Sequence, residues 1–245
     1  MSTQPKWDLV EGIVLDAVGT LIKPTPSVAD AYTEAADRQG VILDRDDVRR
    51  RFQKTFRDDA IRADRGIYST DETIEQRRWR EIVAQVLPEV PDPQRAFDEL
   101  WDHFGRPESW RCFPDAVPAL RAIHEAGMEV CIGSNFDARL RRVVAGLPEL
   151  AELVDVLVVS SEVGYRKPHQ AFFEAVSERL DLPPERILSV GDDLENDVLG
   201  AIRAGLSAVH LDRGREAGND VTHVSTLTKV VELRAAEALK FGGRV

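Results

Sequence analysis

The chain lacks the features that mark several classes of protein. It has two cysteines, Cys112 and Cys131, with no CxxC pair and no zinc-ligand spacing, so neither a disulfide framework nor a zinc module is expected. No run of about 18 apolar residues occurs, the length that a helix needs to span a bilayer. The opening residues, MSTQPKWDLVEG, lack the apolar segment of a signal peptide. These absences predict a cytoplasmic protein without a membrane span.

Positive charge is also scarce. The chain has 32 Lys and Arg against 43 Asp and Glu, for a formal net charge of −11, and such an excess repels phosphate backbones and anionic lipid. It contains no GxGxxG or GxxxxGK string, so dinucleotide-binding and P-loop proteins have no support. We therefore expect no nucleic-acid partner and no membrane partner.

The remaining composition is that of a globular protein, and its pattern changes along the 245 residues. An apolar run at residues 13–15 stops at Asp16, which predicts a buried strand followed by a turn. Residues 24–110 have helical spacing. After Phe113, apolar runs of strand length alternate with helical patterns, which predicts an α/β fold with a parallel, Rossmann-like sheet and helices on both faces.

This order predicts two domains. Residues 1–23 and 113–245 are expected to form one α/β core, and residues 24–112 an inserted helical domain. Helices are predicted at 27–39, 46–65, 70–87, 93–104, 114–126, 138–145, 168–180, 197–204 and 226–238. Strands are predicted at 129–133, 154–160, 187–191 and 207–211, with a further apolar pair at Val221 and Val224. Pro114 and Pro168 are predicted in first helical turns, and Gly127 and Gly205 just past helix ends.

Polar residues follow the predicted strands at four places, and ligands of parallel α/β sheets bind beyond the carboxyl ends of strands. Asp16, Ser134 and Asp192 each follow an apolar run, and Lys167 lies in the segment SSEVGYRKP after another. Carboxylates, a hydroxyl and a lysine converging on one edge are suited to bind a divalent cation together with an anionic group. This combination indicates phosphoryl transfer.

Each of these residues also has an ordinary structural interpretation. Asp16 is a suitable turn cap, Ser134 and Asn135 are suitable N-caps for the helix predicted from residue 138, and Lys167 is of the type usually found solvated on the surface. The acids Asp192, Asp193, Glu195 and Asp197 suit the first turn of a helix. Their joint placement at four strand ends favours the functional interpretation.

At this point four segments, in order, resemble the motifs of the haloacid dehalogenase superfamily. They are DAVGTLI at 16–22, GSN at 133–135, YRKP at 165–168 and VGDDLENDVLGA at 190–201. The phrases SNFDARL and SEVGYRKPHQAFFEAV look most like the subgroup called haloacid dehalogenase-like hydrolase domain-containing protein 3. The resemblance spans about residues 12 to 211 and implies a Rossmann-like core with a helical cap closing over the site.

The resemblance also implies roles for individual residues. Asp16 would be the nucleophile that forms an aspartyl-phosphate, with Ser134 and Lys167 as the other catalytic residues. The Mg²⁺ cofactor would be held by Asp16, the Val18 carbonyl and Asp192, with Asp193 and Asp197 around them. The small phosphorylated substrate would be bound by Gly19, Thr20, Ser134, Asn135 and Lys167.

The sequence departs from the family pattern at Val18, where phosphatases of the family have the Asp that serves as general acid and base. Turnover is therefore expected to be slow. One alternative is a 2-haloacid dehalogenase, which needs neither acid nor metal, although such enzymes have serine and asparagine where this chain has Gly191 and Asp192. A phosphonoacetaldehyde hydrolase would need a cap lysine, and Lys54 lies in different surroundings. A weakly active or non-catalytic binding protein is the alternative outside enzymes.

The proposed cap and the histidines carry fewer signals. Arginines are frequent in it, but acidic residues alternate with them, so most are expected on solvated helix faces; they are Arg49, Arg50, Arg51, Arg57, Arg62, Arg77, Arg78 and Arg80. Three tryptophans, Trp79, Trp101 and Trp110, are expected to pack in or under the cap, with one lining the cleft as the alternative. The five histidines have no metal-ligand spacing, and the sequence does not indicate an oligomeric state.

Overall fold

The apolar runs form a parallel sheet in the computed structural model, which describes residues 5–63, 68–214 and 221–241. The strands are, in chain order, β1 (Gly12–Leu15), β2 (Ile22–Pro24), β3 (Trp110–Cys112), β4 (Glu129–Ser134), β5 (Val156–Val159), β6 (Ile187–Gly191), β7 (Ser207–Leu211) and β8 (His223–Val224). Six of them are parallel in the order β5-β4-β1-β6-β7-β8. Leu15 of β1 lies opposite Ile132 and Val190, so Asp16 leaves the sheet between the ends of β4 and β6.

The sheet is covered on both faces, as the continuous apolar runs predict. Successive side chains of a strand point to opposite faces: Ile13 and Leu15 join one buried cluster with Leu120, and Val14 joins another with Phe172. A strand buried on both faces has no polar face to alternate with. The predicted α/β fold is therefore confirmed.

The helices occupy most of the remaining chain. They are α1 (Val28–Asp37), α2 (Arg45–Ala63), α3 (Glu72–Val86), α4 (Pro93–Phe104), α5 (Ala116–Glu125), α6 (Arg139–Ala145), α7 (Pro148–Ala151), α8 (Ser160–Val163), α9 (Gln170–Leu180), α10 (Gly200–Arg203) and α11 (Leu227–Phe241). Short 3₁₀ turns lie at Pro107–Ser109 and Pro184–Arg186, and a π-helical turn lies at Leu194–Leu199. Helices α1–α4 lie between β1 and β4, and the antiparallel pair β2–β3 brackets them.

The four helices between β2 and β3 have their own start signals and their own core. Asp71 accepts a hydrogen bond from the Ile74 N–H before α3, and Asp92 accepts one from Arg95 before α4, as N-caps do. Their apolar sides form a buried cluster that includes Tyr32, Ala35, Val83, Phe97 and Leu100. The division of the chain into two domains at residues 24 and 112 stays a prediction.

Several local predictions are corrected. Pro114 and Pro168 precede the first turns of α5 and α9, which each begin two residues later. The reason is visible at α9, where the His169 ring nitrogen accepts the Ala171 N–H and caps the helix. Gly127 and Gly205 do follow helix ends, with φ of 73° and 93°. The β2–β3 pair was not predicted.

Some predictions reach outside the described residues. These include the end of the second predicted helix at Arg65, the loop at 215–220, and all but the first residue of the FGGRV end. Within the described part of the chain, no helix has the length and apolar character required to cross a bilayer.

Candidate active site

Asp16 directly follows the central strand β1, and its side chain turns toward two groups predicted from sequence. Its backbone N–H donates to the Val190 carbonyl at 3.0 Å, which fixes it beside β6. Its carboxylate accepts hydrogen bonds from Lys167 Nζ at 2.8 Å and from Ser134 Oγ at 3.3 Å. Three sequence-predicted residues from three separate strand ends are therefore brought together.

Lys167 lies at the centre of this cluster of polar groups and is 5% exposed. Its ammonium group donates to Asp16 at 2.8 Å, to the Gly133 carbonyl at 2.7 Å and to Asp197 at 2.6 Å. Burial alone would lower the pKa of Lys167, but the charges of Asp16 and Asp197 outweigh burial and raise the pKa. The paired carboxylates therefore favour the charged form of the lysine at neutral pH.

Asn135 holds the Lys167 loop in place. Its side-chain NH₂ donates to the Lys167 carbonyl at 3.0 Å, and its oxygen accepts the Lys167 N–H at 2.7 Å. Ser134 and Asn135 are thus not the N-caps of α6, since Ser134 faces Asp16 and Asn135 faces the backbone of Lys167. The structure gives Asn135 a positioning contact, while direct contact with substrate stays a prediction.

Asp192 follows β6 and faces the loop after Asp16. Thr20 Oγ1 donates to its carboxylate at 3.4 Å. Gly19 has φ +97°, and a Cβ there would lie 2.4 Å from an Asp192 oxygen, so this position requires glycine. Gly19 and Thr20 therefore contact the acidic cluster, which places them at the site that the sequence predicted.

Asp197 is buried in the π-helical turn. Its second carboxylate oxygen accepts the Asp193 N–H at 3.0 Å, and its carbonyl accepts the Ser189 hydroxyl at 2.7 Å. A Cβ on Gly191 would lie 2.1 Å from the same carboxylate. Because Gly191 has no side chain, the end of β6 leaves room for the Asp197 carboxylate beside Lys167.

The three carboxylates form a donor set suited to a metal ion. One oxygen each of Asp16, Asp192 and Asp197 lies within 4.8 Å of the others. Burial raises the pKa of Asp16 and of Asp197. Partial enclosure, and then the charge of Asp197, raises the pKa of Asp192 to about 6. Because crowded carboxylates repel one another, a divalent cation that takes oxygen ligands would stabilise the cluster.

The other two predicted metal contacts are placed differently. Asp193 lies outside the three-carboxylate set and uses its oxygens to accept the N–H groups of Glu195 and Asn196 and the Asn196 side-chain amide. No backbone N–H of the described residues donates to the Val18 carbonyl. The Val18 carbonyl therefore keeps its capacity for a ligand, whereas Asp193 caps the turn.

A cleft of about 350 Å³ joins these residues to the helical region. Arg78 of α3 and Arg166 line it, and both pair with Glu75, which is 1% exposed, at 3.2 and 3.6 Å. Thr70 donates to the same Glu75 at 2.7 Å. The other arginines predicted on solvated helix faces lie at the surface where the structure describes them: Arg49, Arg50 and Arg51 pair with acids, and Arg57, Arg77 and Arg80 are exposed. The Glu75 group was not predicted, because a buried acid among arginines on one helix looks like another solvated pair.

Arg213 is a second residue that the sequence did not indicate. Its guanidinium donates to the Gly19 carbonyl at 3.2 Å, the Thr20 carbonyl at 2.8 Å and the Asp115 carboxylate at 2.8 Å. It therefore fixes the loop that follows Asp16. It lies 197 positions after Asp16 in the chain, so no local motif points to it.

The fold defines the class of protein as α/β, with a parallel sheet and a helical insertion after the first strand. The model of the family described as haloacid dehalogenase-like hydrolase matches residues 10–205, and the chain belongs to this family. The protein is therefore an enzyme, a hydrolase of the haloacid dehalogenase superfamily, as the motif resemblance predicted.

Relatives and solved structures agree with this assignment. The chain is 28% identical to haloacid dehalogenase-like hydrolase domain-containing protein 3 of Mus musculus, over 78% of this chain and 77% of the relative. It is 35% identical to the pyrimidine 5'-nucleotidase YjjG of Escherichia coli, over 49% and 54%. The Bacillus subtilis HAD-hydrolase YfnB, solved with magnesium and showing interdomain movement, superposes with a TM-score of 0.71 at 16% identity, covering 92% and 99%.

Proposed function

We propose that this hydrolase is a Mg²⁺-dependent phosphatase that acts on a small phosphorylated compound through an aspartyl-phosphate on Asp16. The observation that carries the proposal is the placement of Asp16 between the buried Lys167 ammonium at 2.8 Å and the other carboxylates. A carboxylate that attacks a phosphate anion needs positive charge beside it. Dehalogenation, in contrast, needs no metal, so it gives no reason for Asp192 to lie beside Asp16 and Asp197.

In the proposed reaction, the Asp16 oxygen attacks phosphorus and the bond to the leaving oxygen breaks. Lys167 offsets the charge of both partners, and Ser134 donates to a phosphoryl oxygen. The donor set of Asp16, Asp192 and the Val18 carbonyl fits Mg²⁺, which prefers oxygen ligands. When bound, Mg²⁺ supplies further positive charge to the phosphoryl oxygens. Asp197 and Asp193 are proposed to hold the metal ligands Asp16 and Asp192 in position. The cleft beside them is shaped by Gly19, Thr20 and Asn135.

Turnover is proposed to be slow because of Val18. A valine can neither protonate the leaving oxygen nor take a proton from the water that hydrolyses the phosphoenzyme. A positioned acid or base typically contributes about 10²- to 10⁴-fold. The same feature keeps a dehalogenase in view as the second candidate, since halide leaves without a proton.

The helical residues 24–112 are proposed to act as a cap over residues 1–23 and 113–245. The narrow antiparallel connection β2–β3 and the cleft shared by α3 and the Lys167 loop support this division. The movement between domains in the related YfnB structure is consistent with it. A cap excludes water from the reacting groups and strengthens their electrostatic interactions.

The test is Mg²⁺-dependent phosphate release from acetyl phosphate, whose leaving group needs no acid. We expect activity in the wild type, none in Asp16→Asn, and loss on addition of EDTA. For an alkyl phosphate, Val18→Asp is expected to raise the rate by about 10²-fold, while the matched variant Val18→Asn leaves it low. Halide release from 2-chloropropionate that persists in EDTA would instead establish a dehalogenase, and inactivity of the wild type on both substrates would favour a binding protein.

A further inference from the structure

The helical region encloses an apolar cavity of about 250 Å³ next to the cleft. Aromatic side chains from α1, α2, α3 and α4 and from β3 dominate its wall: Tyr32, Phe52, Trp79, Trp101, Phe104 and Trp110. The protein does not fill the space between these rings. The composition of the cavity wall is that of a pocket for an apolar ligand.

The cavity opens onto the reacting groups. Val18, Phe56 and Asn135 line both the cavity and the cleft that contains Asp16 and Lys167. A phosphoryl group at Asp16 would therefore have its leaving group directed past Val18 into the cavity. Val18, which stands where phosphatases of the family have the acid, therefore lies at the boundary between the cleft and the apolar cavity.

The polar groups of the cavity wall are few and mostly engaged. Arg139 donates to the Asp137 carboxylate and to the Trp101 carbonyl at 2.7 Å, and it stacks on the Trp101 ring at 3.4 Å. Asn135 is engaged by the Lys167 backbone. Tyr32 is 1% exposed, and within the described residues its hydroxyl has no hydrogen-bond partner. Burial raises the pKa of Tyr32, so this hydroxyl stays neutral and offers one hydrogen bond.

The size of the cavity suits a ring system. A cavity of about 150 Å³ lined by apolar side chains holds one benzene molecule, so a cavity of about 250 Å³ accommodates one or two fused rings. A nucleobase of this size is less well matched, because its several donors and acceptors would face an apolar wall with one spare hydroxyl.

We propose that the substrate is an aryl phosphate, the phosphate monoester of a phenol, with the ring in this cavity and its phosphoryl group at Asp16. The proposal rests on the proposed function and deepens it. It explains how the first step proceeds at a site with Val18, because a phenol-type oxygen leaves without a proton; hydrolysis of the phosphoenzyme stays slow. An Asp16 oxygen bonds to phosphorus, the bond from phosphorus to the aryl oxygen breaks, and its electron pair leaves with the aryl oxide, which takes a proton from water. Water then attacks the phosphorus, releasing phosphate and the Asp16 carboxylate.

The first test compares four substrates on the wild-type enzyme with Mg²⁺: 1-naphthyl phosphate, benzyl phosphate, propyl phosphate and acetyl phosphate. We expect kcat/KM for 1-naphthyl phosphate to exceed that for acetyl phosphate by about 10- to 100-fold, the value of burying a ring. Benzyl phosphate is the matched control: it has a ring but a basic leaving oxygen, so it should bind and inhibit but turn over slowly. Equal kcat/KM for 1-naphthyl and acetyl phosphate, or faster turnover of a 5'-nucleotide such as UMP, overturns the proposal while leaving the phosphatase intact.

The second test examines whether the aromatic ring of the substrate lies in this cavity. Val83 of α3 lines it, and Val83→Phe should lower kcat/KM for 1-naphthyl phosphate at least 10-fold while acetyl phosphate changes less than 2-fold. Acetyl phosphate reports folding of the variant, and Val28→Phe at the other side of the cavity replaces Val83→Phe if both substrates fail. Proportional loss on both substrates in both variants, each shown to be folded by circular dichroism, contradicts the placement.

A calorimetric titration separates this inference from the proposed function. 1-Naphthyl phosphate should bind the inactive Asp16→Asn variant at least 10-fold more tightly than propyl phosphate, with a negative heat-capacity change. If it does so while the wild type hydrolyses no phosphate ester, the cavity is an aromatic site and the phosphatase proposal fails. If both ligands bind equally, the aromatic substrate fails on its own.

Discussion

At the scale of single residues, the loop after Asp16 has space only for glycine at position 19. Gly19 combines a left-handed backbone with a Cβ position that lies on the Asp192 carboxylate. The first property costs an L-residue about 1 kcal/mol, and the second forces the carboxylate to move. The Asp192 oxygens are at the same time part of the proposed metal-binding set.

Replacing Gly19 with alanine should therefore impair the site more than the fold. We expect Gly19→Ala to weaken Mg²⁺ binding and to lower Mg²⁺-dependent phosphate release at least 10-fold. Gly40→Ala is the matched control, because Gly40 has φ +78° but nothing within 4 Å of the added Cβ. Metal affinity is read by calorimetry and stability by urea unfolding. Equal effects of the two variants on Mg²⁺ affinity would show that strain, and not the clash, is responsible.

The residue scale also shows what a sequence can predict of a site. Asp16, Ser134, Lys167 and Asp192 were predictable because each follows an apolar run, and parallel strands bring their carboxyl ends to one edge. Arg213 was not, because its partners are backbone carbonyls nearly two hundred positions away. A pattern of residue types contains no information about which carbonyl an arginine will reach.

At the scale of elements, the Asp115 carboxylate connects α5 and α11, through Arg213, to the loop after Asp16. Asp115, just before α5, accepts hydrogen bonds from Arg213 and from the Leu227 N–H at the start of α11, both at 2.8 Å. Burial alone would raise the pKa of Asp115, but these two donors outweigh it and the pKa is lowered. A carboxyl whose folded pKa is depressed stabilises the fold above its ordinary pKa and loses that contribution as the pH falls through the folded value.

The Asp115→Asn variant should accordingly be less stable than wild type at neutral pH, by about 1–2 kcal/mol. The difference should stay constant from pH 7 to pH 5 and shrink as the pH falls from the ordinary aspartate pKa of 3.8 through the lower folded pKa, because the unfolded chain takes up the proton first. Urea unfolding across this range measures it. Asp8→Asn removes an exposed acid and controls for net charge; a stability difference for Asp115→Asn that does not depend on pH would refute the role of its charge.

Elements differed in how well the sequence predicted them. Helix α4 has the predicted bounds, because Asp92 and Pro93 mark its start and the amphipathic pattern ends at Gly105. The helix predicted at 197–204 instead follows a π-helical turn that begins at Leu194. The wide turn brings Asp197 back to Lys167, a tertiary contact that helical periodicity cannot express. The three-residue strands β2 and β3 are too short to show a period.

At the scale of the whole molecule, the helical region contacts the rest of the protein through polar groups as well as through the apolar packing of Trp110. Glu72 at the start of α3 accepts the Ala138 N–H at 2.9 Å and the Ser161 hydroxyl. The adjacent segment pairs with the Lys167 loop, since the Thr70 N–H donates to the Gly164 carbonyl at 3.0 Å. These contacts hold α3, and with it Arg78, over the cleft.

Loss of the Glu72 carboxylate should loosen this contact without unfolding either part. We expect Glu72→Ala to raise KM for the phosphate ester by up to about 10-fold, the worth of one or two hydrogen bonds, and to speed amide hydrogen exchange at Ala138 and Thr70. Glu81→Ala removes an exposed acid from the same helix and should change neither. Unaltered exchange at both amides in Glu72→Ala would contradict the linking role.

Lys167 satisfies two buried carboxylates and a carbonyl with its three protons. Removing any member of this group leaves the others with unbalanced charge, so the free energy lost in each single variant includes the reorganisation of the rest. Single substitutions through the cluster would each be assigned most of its total effect, and their sum would exceed it. The contribution of an individual residue here is defined only in a double-mutant cycle, in which Asp16 and Lys167 are changed together as well as apart.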